Sequence, residues 1–199
     1  MNKIEQLLHS GDMRTKGKAE EVVVPVLSRP RLFDNVISAI LTDNPGIRMR
    51  ASDAAEKISR IHPAWLRPYK RLSIETIAKI NQQEVRWHTA QILPRLKLNK
   101  NERQRVIALL KMYLLDKSRI VKTFAMQALT EIAIQDNGYV EGVRNLLDKL
   151  TEEGSLAMKA RGRKLLFLLK KTKPSVTLQS RQYPHGQLRG INPRATISH

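Results

Sequence analysis

Residues 84–96 read EVRWHTAQILPRL and residues 119–133 read RIVKTFAMQALTEIA. From Val85, apolar or small residues fall at Thr89, Ile92, Leu93 and Leu96, offsets of 4, 7, 8 and 11. From Val121 the same offsets give Ala125, Ala128, Leu129 and Ile132. That spacing draws one stripe down one side of a helix. Working outward, Ile47 leads to Ala51, Ala54, Ala55 and Ile58, and Met158 leads to Gly162, Leu165, Leu166 and Leu169. Thr15 gives a looser copy through Ala19, Val22, Val23 and Val26. The starts at 15, 47, 85, 121 and 158 are 32, 38, 36 and 37 residues apart, and a basic residue follows each: Lys16, Arg48, Arg86, Lys122 and Lys159. A second periodic stretch precedes each copy. These are Ile4–Leu8, Phe33–Leu41, Ile74–Ile80, Val106–Leu114 and Val140–Leu150. Short polar turns such as Asp43-Asn44-Pro45-Gly46 and Asp116-Lys117-Ser118 separate the two members of each pair. The repeating unit is helix–turn–helix. One such unit cannot bury its apolar face alone, so neighbours must stack.

The helical pair, an Asp in the turn, then Val-Arg, then small residues at helical spacing, resembles the HEAT repeat over about residues 2–171. The resemblance implies an all-α fold, a right-handed α-solenoid of about five helical pairs, with the second helices lining a concave surface. The copies depart from the pattern at three places. Thr15 stands at an apolar start. His62–Leu72, with Pro63 and Pro68, is an insertion expected to form a kinked or extended connection. Gly162 stands where Ala or Thr is usual.

Residues 172–199 lose all periodicity and are rich in Pro, Gly, Ser, Gln and Arg, so a disordered basic tail is expected after a repeat domain of residues 1–171. The formal net charge is +18. Residues 154–199 hold ten basic residues and no acidic one, leaving +8 on residues 1–153. The chain has no cysteine, which excludes disulfides, thiol nucleophiles and thiolate metal sites. The five histidines have no metal-ligand spacing, so no metal and no cofactor are expected. No apolar run reaches membrane-spanning length and no signal-peptide core is visible, so a cytoplasmic location is expected.

Two function classes follow. The first is a non-enzymatic interaction scaffold that presents the concave surface to a protein or another anionic partner. On the face of the second helices opposite the stripe, the candidate partner-binding residues are Trp87, Gln91, Asp53, Gln127 and Lys164, with Arg50 beside them. The offsets 2, 6 and 9 that define this face also include Glu56, Pro94, Thr130 and Phe167. The second class is nucleic-acid binding by phosphate neutralisation, with Arg161, Arg163, Lys164, Lys170, Lys171 and Arg181 as candidates. Two further basic clusters, Lys57/Arg60/Arg67/Lys70/Arg71 and Arg95/Lys97/Lys100/Arg103/Arg105, read either as a phosphate-tracking stripe or as a solvated surface. The basic residue after each start reads mainly as structural, pairing with the acid in its own turn (Asp12, Asp43, Asp116 or Glu153) or sharing a helix end that the acid caps; only Arg86 lacks such an acid, with Asn81 nearest. His88 reads as a packed histidine. A DNA-glycosylase-type enzyme, which HEAT-like stacks also include, wants a carboxylate beside the groove Trp. Here Gln91 follows Trp87 and Asp53 lies one copy away. HEAT-like bilin lyases have no specific support in these residues, and the repeated His-Glu pairs of deoxyhypusine hydroxylases are missing.

Overall fold

The computed structural model describes residues 3–9 and 18–171. The expected tail, with Arg181, and the turn holding Lys16 lie outside the described residues. The described chain is all-helical, with no strand. Its α-helices are α1 Lys3–His9, α2 Lys18–Ser28, α3 Phe33–Ala39, α4 Pro45–Ile61, α5 Lys70–Glu75, α6 Gln83–Ile92, α7 Lys100–Tyr113, α8 Arg119–Gln135, α9 Val140–Glu153 and α10 Leu156–Lys171. Four of the repeat starts, Ile47, Val85, Val121 and Met158, each sit two residues inside a helix.

Local chemistry fixes those boundaries. Asn44 caps α4, its Oδ1 accepting from the backbone N–H of Gly46 and Ile47 at 2.9 and 3.1 Å, with Pro45 in the first turn. Ser118 caps α8. Asn99 and Glu102 close a reciprocal capping box on α7. The capping residues are therefore Asn and Ser, and not the turn acids expected from sequence. Pro63 and Pro68 each remove a backbone donor and disfavour a regular α-helix, and residues Pro63–Tyr69 form a 3-10 helix instead. The first helix of the third pair is accordingly short. It is α5 followed, after a break at Thr76, by a 3-10 turn Ile77–Lys79.

The even-numbered helices contact one another in order, α2 with α4, α4 with α6, α6 with α8 and α8 with α10. The core runs along this series. It includes Val22, Val26, Ala51, Ala54, Ala55, Ile58, Val85, Ala90, Val121, Ala125, Leu129, Leu165 and Leu169. Small residues at the stripe centres let helix backbones approach closely. Gly162 carries this furthest: a Cβ there would lie 1.9 Å from Thr151 Oγ1 and 3.0 Å from Thr151 Cβ. Gly162→Val is therefore expected to cost about 3 kcal/mol by forcing α10 off α9, despite the gain in helix propensity over glycine. Urea unfolding of the variant beside wild type measures it.

Hydrogen bonds between copies stitch the series together. Arg48 Nε donates to Gln82 Oε1 at 2.9 Å, Arg86 donates to Asp116 Oδ2 at 2.5 Å, and Arg161 donates to Gln127 Oε1 at 2.5 Å. The expectation that a basic residue pairs with the acid of its own turn is thus corrected for Arg48, whose side chain bonds Gln82 and not Asp43. Arg86, which has no acid in its own turn, pairs with Asp116, thirty residues onward in the next copy's turn. Arg86 also lies over the Tyr113 ring, 5.9 Å from its centroid. Burial raises the Tyr113 phenol above its ordinary range, and its O–H donates to the Ala78 carbonyl at 2.6 Å.

Candidate functional site

The second-helix face is less open than its phase suggests. α4, α6 and α8 each have a neighbour on both sides, which widens the covered arc. Glu56, Pro94 and Thr130, expected on the open face, are buried. The two ends of the described series keep an exposed face: α2 at Glu20, Glu21, Val24 and Ser28, and α10 at Ala160, Arg163, Lys164, Phe167, Lys170 and Lys171.

Most of the partner-binding candidates are engaged internally. Arg50 is not on an open surface. It is 5% exposed, and its Nε donates to the Leu8 carbonyl at 2.6 Å, tying α4 to α1. Burial lowers its pKa. Trp87 is half-buried and packs against the core, so it is not a free anchor. Gln91 is half-buried and donates to the Trp87 carbonyl at 3.2 Å. Asp53 pairs with Lys57 at 3.2 Å, and Lys57 reaches Glu20 at 2.7 Å. Gln127 donates to Glu131 at 2.8 Å and accepts from Arg161. Lys164 alone of the set is exposed.

His88 is mostly buried, with Nε2 4.0 Å from Asp53 Oδ1. Burial lowers its pKa, outweighing the attraction of Asp53, Glu56 and Glu84, and Lys57 adds to the lowering. The unfolded chain therefore takes up a proton on this residue at higher pH than the folded chain does. Stability from His88 is present above its ordinary value of 6.5 and is lost as pH falls through the window just below it. Melting temperatures are expected to drop between about pH 6.5 and pH 5, and His88→Asn is expected to flatten that part of the profile.

The nucleic-acid candidates fare differently. Arg161 is held by Gln127 and lies over Phe124, 5.8 Å from the ring centroid. Arg163, Lys164, Lys170 and Lys171 are exposed. Lys171 Nζ sits 4.5 Å from the centroid of the Phe167 ring, which is itself 58% exposed. No acidic residue occurs in α10.

The structure also brings together the two basic clusters, which are separate in sequence. Lys70 donates to the Lys97 carbonyl at 3.3 Å and pairs with Glu102 at 2.7 Å, joining the insertion to the α6–α7 link. Arg95 reaches back to α4, donating to Glu56 Oε1 at 2.6 Å, the Glu56 carbonyl at 2.8 Å and Ser59 Oγ at 2.8 Å. Arg60 holds the other Glu56 oxygen at 2.7 Å. Burial would raise the Glu56 carboxyl, but hydrogen bonds from Arg60 and Arg95 outweigh it and hold the pKa below the ordinary value. Lys57, Arg71, Arg103 and Arg105 also have carboxylate partners. Among the described residues Arg67, Lys97 and Lys100 have none within ion-pair distance. The acids of Lys57, Arg60 and Arg71 stand four residues away in the same helix, whereas those of Lys70, Arg95, Arg103 and Arg105 come from distant elements, so local sequence does not separate these last four from Arg67, Lys97 and Lys100.

Among the described residues no group of His, Asp or Glu is placed to hold a metal ion, and no helix is long and apolar enough to cross a membrane. No family model and no curated protein matches the chain. A crystal structure of an engineered protein from the Northeast Structural Genomics Consortium is similar, with a TM-score of 0.50 and 14% identity over 85% of this chain and 97% of that one. The likeness concerns the helical fold alone.

Proposed function

We propose that this protein is a non-enzymatic HEAT-like scaffold. Its five helical pairs stack as a right-handed α-solenoid and present α10 to an anionic partner. The observation that supports this is the outer face of α10, where Arg163, Lys164, Lys170 and Lys171 are exposed together on a helix without a single acid. The ordered contacts of the even-numbered helices support the stack. The partner's chemistry is that of a polyanion. A nucleic-acid backbone is favoured over a folded acidic protein because Gln91, Gln127 and Asp53 on the second-helix face are already bonded within the protein.

Binding by this face is expected to be weakly sequence-dependent, since phosphate contacts carry no base information. A four-fold variant, Arg163→Gln, Lys164→Gln, Lys170→Gln and Lys171→Gln, tests it. Fluorescence anisotropy with a labelled duplex and a labelled polyglutamate peptide is expected to show loss of at least tenfold in affinity for whichever ligand wild type binds. For duplex DNA the salt slope is expected to fall by about 0.9 per lost phosphate contact. Unchanged affinity in the variant, or no binding of either ligand by wild type, contradicts the proposal.

A further inference from the structure

A trough runs where the insertion meets the α6–α7 link. Its first part, about 570 Å³, has Arg67, Lys70, Arg95 and Lys97 on its walls and Pro63 and Leu96 among its apolar surfaces. A second depression of about 490 Å³ shares Pro63, Arg95, Leu96 and Lys97 with the first and continues to Ile134 and Gln135. The walls are braced by the Lys70–Glu102 and Arg95–Glu56 bonds, so both of those cations are spent on the fold. Arg67 and Lys97 are exposed and have no carboxylate partner among the described residues. Beside Pro63 in the chain, exposed His62 lies parallel to the Trp65 ring, 4.5 Å between centroids with 9° between planes.

We propose that this trough binds single-stranded nucleic acid, with Arg67 and Lys97 neutralising successive phosphates and the His62–Trp65 stack continuing onto a base. Three features favour that ligand. The trough is elongated and open, which suits an extended chain. Its free charges are cations set beside apolar surface, the pairing that single-strand sites use. The planar stack, next in the chain to Pro63 of the trough wall, offers a π-face, which an acidic peptide does not exploit. The inference extends the polyanion reading to a second surface built from other elements, and it can fail while that reading stands.

Because the chain has no cysteine, single cysteines report on each surface. Ala64→Cys lies in the trough and Ala160→Cys on the outer face of α10. The probes are oligothymidylate and polyglutamate, and the readout is the rate of maleimide labelling. Oligothymidylate is expected to slow labelling at position 64 at least fivefold, while polyglutamate leaves that rate unchanged. The double variant Arg67→Gln, Lys97→Gln is expected to weaken oligothymidylate binding about tenfold and to lower its salt slope by about 1.4, from two contacts at about 0.7 each on a single strand. His62→Ala is expected to weaken oligothymidylate binding alone. Protection at 160 but not at 64 overturns the trough and leaves the α10 proposal standing. Equal protection at 64 by polyglutamate overturns the nucleic-acid assignment. If wild type binds polyglutamate but not oligothymidylate, only this inference falls; if it binds neither and no duplex, both fall.

Discussion

Ala125→Glu is expected to remove a large part of the chain's stability and to lower its melting temperature sharply. Ala125 is fully buried at the centre of the α8 stripe, with α6, α7 and α10 packed around that helix. A carboxylate there has no partner and no route to water. Its cost is about 3–5 kcal/mol, the range for an unpaired buried charge, against a total stability of roughly 5–15 kcal/mol for a domain. Circular dichroism on heating measures it. Gln91→Glu is not a neutral comparison, because Gln91 is half-buried and its amide donates to the Trp87 carbonyl. Loss of that donor is expected to cost about 1 kcal/mol. Lys164→Gln, on the exposed face of α10, is the appropriate control and is expected to leave the melting temperature unchanged.

Glu56→Ala is expected to destabilise by about 3 kcal/mol, because it strips the carboxylate from Arg95 and Arg60 and leaves the 21%-exposed Arg95 side chain without its charge partner. The pH dependence has a definite sign. The folded-state pKa of Glu56 is depressed, so its contribution is present above the unfolded value, about 4.3, and is lost as pH falls through the folded value. Glu56→Gln keeps the shape and is expected to flatten the acid limb below about pH 4.5, a window distinct from that of His88. Urea melts at stepped pH separate the two.

The all-helical fold was legible because stripe spacing is local. Val85, Val121, Ile47 and Met158 needed only their own helices to declare themselves. The third pair was legible as an interruption, since Pro63 and Pro68 disfavour a regular helix, but the 3-10 form and the short α5 depend on packing. The site was less legible. Trp87 and Gln91 looked open because a single helix was considered, whereas neighbouring helices on both sides cover them. The Arg86–Asp116 and Arg95–Glu56 bonds span 30 and 39 residues. Spacing within one turn says nothing about such pairs, so it could not separate spent cations from free ones. On α10 the exposure of Arg163, Lys164, Lys170 and Lys171 was legible from a helix free of acids, but the bond from Arg161 to Gln127 was not.

The most direct test of the polyanion account is the salt dependence of oligonucleotide binding by the wild-type protein. Labelled single strand and duplex are titrated at salt concentrations stepped from about 50 to 200 mM, where counterion release makes log affinity linear in log salt. The account predicts binding of several sequences with similar affinity and a slope of roughly −3 to −5, the value for about four to six neutralised phosphates. A slope near zero, or no binding of single strand, duplex or polyglutamate at the lowest salt, would contradict it.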